Sequence, residues 1–335
     1  MQHLTRFVSP VALCLVASAL SGCTLEKDDA SEFREAVPEA ASVAVDGPAS
    51  SPAGAGEKRS TLAAGDAVGE PASWYTFTRN VRDGVNVVTG VVLGSVWFVV
   101  HTEPSELDQD RAVWGPYDGD ALDPVRYRFS VARSEENHFT YRLEGQAKSG
   151  GKNAPFLLVL EGDGYSRGSE LHGDGSFRID LDNARALDPS RHAGDSGSLG
   201  VTHDLPFETG RRRDALPRTI VAALRPDGGE ALDITSIARE DHTGELGITG
   251  VVDIDETRGS ALEDVSVTSR WRATGAGRAD IVIAGGDLVT SGVDSASLVE
   301  CWGSDFSRVY YSDSVGLKES EGEASDCAFA APASE

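Results

Sequence analysis

The sequence is short of positive charge. Its 335 residues include 30 lysines and arginines against 54 aspartates and glutamates, which gives a formal net charge of −24. A protein that binds nucleic acid needs a basic surface to neutralise phosphates, so this composition argues against such a partner. Anionic lipid headgroups would also repel it. Hydrophobic residues still make up 40% of the chain, which is enough to build a folded core.

Long hydrophobic runs are also scarce, and the clearest one stands at the N-terminus. It covers Phe7–Leu20 and follows the basic residue Arg6. A run of this length is too short to cross a bilayer of about 30 Å as a helix. A basic residue followed by a short apolar region is typical of a cleaved signal peptide, which we assign to residues 1–22.

The end of this segment carries a more specific pattern. Leu20-Ser21-Gly22-Cys23 resembles the lipobox of bacterial lipoproteins, in which small residues precede a cysteine. The resemblance implies cleavage after Gly22, a diacylglyceryl group on the Cys23 sulfur and acylation of the new N-terminus, and two or three acyl chains anchor a protein stably. Thr24 replaces the aspartate that often marks inner-membrane retention in Gram-negative lipoproteins, which favours the outer membrane. An ordinary secretory signal with a chance cysteine is the alternative.

Residues 23–70 change in composition. They are rich in alanine, serine, glycine, proline and acids, and Phe33 is their only aromatic residue. Such a segment buries too little apolar surface to offset the entropy of ordering. We therefore predict a disordered acidic tether, with a short helix possible at residues 31–41. As a random coil it would span about 35–40 Å and hold the rest of the protein clear of the bilayer.

Residues 71–335 have the composition of a single folded domain. Within Arg79–His101, valines recur at spacings of three and four, which is a helical period. Asn80 would cap this helix, and Glu103-Pro104 would end it. Because the run is rich in valine and glycine, two strands that turn at Gly94-Ser95 are the alternative.

The rest of the domain alternates with period two. Phe139, Tyr141 and Leu143, for example, alternate with polar residues, and turn residues separate such segments. We predict a mainly β fold: an antiparallel meander of about twelve strands, closed as a barrel or strongly curved, with the one N-terminal helix as its plug or lid. Most strands have only three clear apolar positions, which argues against a transmembrane barrel.

The sequence has four cysteines. Cys14 would leave with the signal peptide and Cys23 would be lipidated. Cys301 and Cys327 remain as a pair in an exported chain, which predicts a disulfide bond. Two free thiols or a redox pair are the alternative, although the sequence contains no Cys-x-x-Cys motif.

One short motif suggests catalysis. Gly194-Asp195-Ser196-Gly197 matches the first four residues around the nucleophile of chymotrypsin-like proteases, and His101 and His192 are candidate bases. Ser198 replaces the fifth residue of that motif, and too many residues follow it for that family. We interpret the motif as a turn and predict no catalytic residue.

Two acidic segments are candidates for a cation-binding site. Asp253–Asp264 has oxygen ligands at the spacing of an EF-hand loop, yet Arg258 stands where that loop needs glycine. Asp118, Asp120 and Asp123 form another acidic cluster, and the histidines lack metal-type spacing. We predict no metal and no cofactor, with a looser Ca²⁺ site left open.

A second resemblance concerns the folded part. Trp114-Gly115-Pro116 and residues 122–127 are similar to uncharacterised envelope lipoproteins of myxobacterial type, which implies an envelope location and no particular activity. We predict a lipid-anchored cell-envelope protein with a non-enzymatic binding or structural role. Its expected partners are the membrane, through Cys23, and a hydrophobic small molecule or envelope protein. The alternatives are a carrier that holds a hydrophobic ligand between helix and sheet, by analogy with periplasmic lipoprotein carriers, and a serine hydrolase that uses Ser196.

Overall fold

The computed structural model describes residues 30–48, 67–118, 123–165, 173–205, 217–228, 230–253, 260–290, 292–316 and 318–331. The expected signal peptide and Cys23 lie outside these residues. The strands are β1 (Glu106–Leu107), β2 (Arg111–Tyr117), β3 (Val125–Glu135), β4 (His138–Ala147), β5 (Leu157–Tyr165), β6 (Gly175–Asp180), β7 (Ser198–Asp204), β8 (Arg218–Arg225), β9 (Ala231–Ala238), β10 (Gly244–Val252), β11 (Glu263–Trp271), β12 (Gly277–Gly285), β13 (Ser295–Trp302), β14 (Arg308–Asp313) and β15 (Glu321–Gly322). The α-helices are α1 (Ser31–Glu35), α2 (Ser73–Val100), α3 (Leu181–Leu187) and α4 (Gly286–Thr290), and two short 3₁₀ turns cover Lys148–Gly150 and Ala324–Asp326.

All fifteen strands belong to one antiparallel sheet. Each strand pairs with the next along the chain, and within the described residues β1 and β15 have one neighbour each, so the sheet is open. The predicted antiparallel meander is confirmed, in its curved-sheet form rather than as a barrel. The count exceeds the expected twelve partly because β1 and β15 are two residues long, too short to show alternation in the sequence.

The sheet has one buried face and one polar face, as the alternation predicts. On β4, the side chains of Phe139, Tyr141 and Leu143 are buried, whereas Thr140 and Arg142 point the other way and are exposed. We call the buried side the inner face and the other side the outer face. Helix α2 and residues 30–48 cover the inner face, so the main core lies between them and the sheet.

Helix α2 confirms the helical interpretation of the valine spacing and excludes the two-strand alternative. It begins at Ser73, earlier than predicted, because the aromatic rings of Trp74 and Tyr75 already pack in the core. Tyr75, for instance, stacks on Phe306 with 4.7 Å between the ring centroids. Asn80 therefore lies inside the helix and does not cap it.

A buried carboxylate takes the place of that cap. Glu300, on the inner face of β13, is fully buried and accepts hydrogen bonds from the backbone amides of Ser73 (3.2 Å) and Trp74 (2.5 Å). The Arg308 guanidinium forms a salt bridge with the Glu300 carboxylate at 2.6 Å and balances its charge. Burial raises the pKa of Glu300, and the Arg308 guanidinium opposes that rise. A negative charge at this position also complements the dipole of α2.

The other end of α2 meets a positive charge. The Arg34 guanidinium, on α1, donates hydrogen bonds to the carbonyl oxygens of Val100 and of Thr102, the latter at 3.0 Å. Carbonyl groups in the last turn of a helix have no partner within the helix, so an arginine satisfies them and the helix dipole together.

Residues 30–48 correct the prediction of a tether that runs unbroken from 23 to 70. The Phe33 ring is buried edge-on against Phe139, and both backbone polar groups of Val45 bond to the Asn86 side chain at 2.8 Å. The sheet accommodates this segment closely, since a Cβ on Gly164 would stand 2.7 Å from the Ala36 carbonyl oxygen. Average composition conceals the few apolar residues that anchor the segment. The possible short helix is present as α1, and residues 49–66 lie outside the described part of the chain.

The prediction of one helix was also too low. Phe177, Ile179 and Leu181 alternate like a strand, but the strand β6 ends at Asp180 and α3 begins. The Asp180 carboxylate caps α3 by accepting a hydrogen bond from the Asn183 amide at 2.8 Å. Leu181 is therefore the first residue of a helix whose apolar side is buried.

We predict that Glu300→Ala lowers the free energy of unfolding by about 3–5 kcal/mol, because it removes the partner of a buried cation. It also leaves the first backbone amides of α2, those of Ser73 and Trp74, without their carboxylate acceptor. Urea unfolding followed by circular dichroism measures the effect. Glu136→Ala, in the exposed turn between β3 and β4, is the control and should change stability by about 0.5 kcal/mol or less. Equal losses in the two variants would contradict the role of Glu300.

Candidate functional site

The residues of the hydrolase hypothesis have separate partners in the structure. The Ser196 hydroxyl accepts a hydrogen bond from the Asp227 amide at 3.2 Å. His192 Nδ1 is bonded to the Asp195 carboxylate at 2.7 Å. The His101 ring, just after α2, packs on Trp97 with 4.1 Å between centroids.

This geometry fits the turn interpretation of Gly194–Gly197. Gly197 has a φ of +74°, and its carbonyl oxygen accepts a hydrogen bond from the Leu181 amide at 3.0 Å, which ties the turn to the start of α3. Within the described residues, neither His101 nor His192 forms a hydrogen bond with Ser196. The arrangement provides a local turn and does not assemble a nucleophile with its base.

The predicted acidic clusters are only partly described. Asp253 and Asp264 flank a hairpin whose residues 254–259 lie outside the described part, and so does Asp120. Among the residues that the structure does describe, there is no group of three or more His, Cys, Asp or Glu side chains that could hold a metal ion.

Among the described residues, His203 is a buried histidine with a lowered pKa. It lies on the inner face of β7, where its Nδ1 is 3.0 Å from the Gly173 carbonyl oxygen. Burial lowers the pKa of His203 to about 4, so the ring is neutral at physiological pH. Gly175 lies opposite, and a Cβ there would come within 2.8 Å of His203 Nε2, which explains the glycine. These contacts indicate a packing role.

The predicted disulfide bond is formed. Cys301, on the outer face of β13, is joined to Cys327 with 5.3 Å between the Cα atoms. Beyond it the chain crosses the outer face: the Phe329 ring lies 5.4 Å from the Arg270 guanidinium and 5.3 Å from that of Arg272. The C-terminal segment is therefore fastened to the sheet by the disulfide bond and by arginine contacts.

The clearest candidate for a functional surface is the outward side of α2. Val87, Val91, Gly94 and Phe98 follow one another at spacings of four, three and four, which places them on one helix face. Phe98 is 61% exposed, Val91 52% and Trp97, beside them, 44%. No charged residue occurs between Gly84 and Val100. We call Val87, Val91, Trp97 and Phe98 the apolar ridge.

Sequence reasoning missed the apolar ridge because it used the valine spacing only to find the buried face. The signal was present, since valines occur on every side of this helix and not on one stripe. By length and composition alone, α2 is the one helix in the described residues that could cross a membrane. Its other face is packed on the sheet.

The buried face of α2 bears on the carrier hypothesis. Val85, Leu93 and Val96 are buried in the main core, and the Thr78 hydroxyl lies 2.6 Å from the Ser269 hydroxyl of β11. These side chains occupy the space between helix and sheet. This is the place where the carrier hypothesis puts its ligand.

We predict that the double substitution Cys301→Ser/Cys327→Ser lowers the free energy of unfolding by about 3.5 kcal/mol, since the bond closes a loop with a sequence separation of 26. Denaturant unfolding with and without reductant measures this. Reductant should destabilise the native chain and leave the double variant unchanged. A double variant as stable as the oxidised native chain would contradict the prediction.

We also predict that His203 makes the fold sensitive to acid. Because folding lowers the pKa of His203 from 6.5 to about 4, the unfolded chain binds a proton more readily than the folded one. The free energy of unfolding is therefore highest above pH 6.5 and falls by about 3 kcal/mol in total as the pH drops towards 4. His203→Gln should remove this part of the pH dependence between pH 6.5 and 4. The control is His242→Asn, in an exposed turn. Parallel stability curves for all three proteins would refute the assignment.

In comparisons with known protein families, curated proteins and solved structures, no match to this chain was found, so its function must be inferred from its own residues.

Proposed function

We propose that this protein is a lipid-anchored protein of the bacterial cell envelope that acts by binding, through the apolar ridge of α2, rather than by catalysis. The observation that carries the binding role is the ridge itself. Soluble domains seldom expose contiguous apolar surface without an interaction to serve. Here Val87, Val91 and Phe98 lie in one line, with Trp97 beside them, on a helix whose opposite face is already buried.

The envelope location is supported by three features. The N-terminal apolar run and the lipobox-like Leu20–Cys23 favour export and lipidation. The disulfide bond between Cys301 and Cys327 suits an oxidising compartment outside the cytoplasm. Thr24, directly after the expected lipidation site, favours the outer membrane of a Gram-negative bacterium.

The surrounding charge supports a local binding surface. The chain carries a net charge of −24, so most of its surface favours water and repels other acidic proteins. The uncharged ridge stands apart from this background. A hydrophobic partner, such as a lipid surface, a small molecule or an envelope protein, would be drawn to this face of the domain.

We predict that Cys23→Ser abolishes lipidation. Expressed as the full chain in a Gram-negative host, the native protein should carry a diacylglyceryl group on Cys23, read by mass spectrometry of its N-terminal peptide. The variant should lack it. Cys14→Ser is the matched control, because Cys14 lies within the expected signal peptide and its loss should leave the mature protein unchanged. A native N-terminal peptide without lipid would overturn the proposed anchoring.

A further inference from the structure

We infer that the apolar ridge is a membrane-docking surface, which lays the domain on the same bilayer that holds Cys23; this inference rests on the proposed lipid anchor. The ridge is then not a site for a soluble ligand. The occupant we propose is a bilayer of zwitterionic lipid.

The first argument is the length of chain between the anchor and the fold. Residues 30–48 are packed on the sheet, and Ala30 itself is buried. Six residues lie between Cys23 and Ala30, which makes seven Cα-to-Cα steps. Even fully extended, they span at most about 24 Å. A lipid on Cys23 therefore keeps this part of the domain close to the headgroups, whereas the expected 47-residue tether would have allowed it to stand off.

The second argument is where the anchored chain joins the domain. It enters through α1, whose Arg34 bonds to the carbonyl oxygens of Val100 and Thr102 at the C-terminal end of α2. Trp97 and Phe98, the two aromatic residues of the ridge, lie in that same last turn. The anchored chain thus joins the domain at the end of α2 that carries the two aromatic side chains of the ridge.

The third argument is the chemistry of this end of the helix. Tryptophan and phenylalanine are favoured side chains for the boundary between headgroups and acyl chains. A third ring joins them, since the Tyr117 hydroxyl lies 3.0 Å from the Thr102 hydroxyl and the ring is part-exposed. Exposed acids follow at Glu103 and Glu106, so the surface suits lipids without net charge.

A second copy of the chain is the competing occupant. Gly90 and Gly94 are four residues apart on the outward side, and nothing lies within 4 Å of a Cβ placed on either. Small residues at this spacing let two helices approach closely. The nearby anchor favours the bilayer, because it positions the ridge against lipid without requiring a second protein.

Trp97 offers a direct reporter for the test. The other four tryptophans are at most 5% exposed. Lipidated full-length protein is reconstituted into phosphatidylcholine vesicles, with or without brominated acyl chains, which quench tryptophan on contact. We expect brominated lipid to quench the native protein and to have at most half that effect on Trp97→Phe. Vesicles should also lower the quenching of Trp97 by aqueous acrylamide at least twofold.

A second variant separates docking from folding. Val91→Ser/Phe98→Ser changes two exposed side chains, so its unfolding midpoint should match that of the native protein. It retains Trp97, and its quenching by brominated lipid should fall at least twofold. Val68→Ser/Val289→Ser, two exposed valines outside α2, is the matched control and should be quenched like the native protein.

The outcomes distinguish docking from anchoring. If the protein floats with vesicles but brominated lipid leaves Trp97 unquenched, the anchor stands and docking is wrong. If Cys23 carries no lipid and the protein does not float, the proposed function fails and docking fails with it. If unlipidated Cys23→Ser protein sediments as a dimer with Trp97 shielded from acrylamide, the ridge is an interface between two copies, which also overturns the inference.

Discussion

Helix α2 is held in place by opposite charges at its two ends, and the arrangement of the whole molecule follows from this. A helix of 28 residues rich in valine and glycine has low intrinsic stability. Glu300 accepts hydrogen bonds from its first backbone amides, and Arg34 donates hydrogen bonds to carbonyl oxygens at its C-terminal end. Because Glu300 lies on β13 and Arg34 on α1, these bonds join the last part of the sheet to the first residues that the structure describes.

The two faces of α2 then have different tasks. The inward face, with Val85 and Leu93, completes the core against the sheet. The outward face repeats the same apolar chemistry where no packing requires it, and each glycine there costs helix stability of about 1 kcal/mol relative to alanine. A helix that only closed a core would be free to carry polar residues and alanine on this side. The end charges let the domain tolerate this exposed apolar face.

Local patterns were enough to predict most of the fold. Alternation along strands such as β4 and β10 reflects a sheet with one buried face, and it indicated the antiparallel meander. Valine spacing indicated α2, and two cysteines in an exported chain indicated the disulfide bond. The remaining features depend on partners far away in the chain. Glu300 caps a helix that begins 227 residues earlier, and Phe33 is ordered by Phe139. The ridge was missed for another reason: spacing identifies a buried face but does not show that the opposite face is apolar as well.

The long reach between α2 and Glu300 has a consequence for the order in which the chain folds. A chain is synthesised from its N-terminus, so α2 is complete long before β13. Until residue 300 follows, the first amides of α2 lack their acceptor. Helix α1 likewise lacks its contacts until β3 and β4 have been made. The core between α2 and the sheet can therefore close only after most of the strands have been made. Under the anchoring proposed above, lipid would be attached to Cys23 before this closure, and docking of the apolar ridge would follow it.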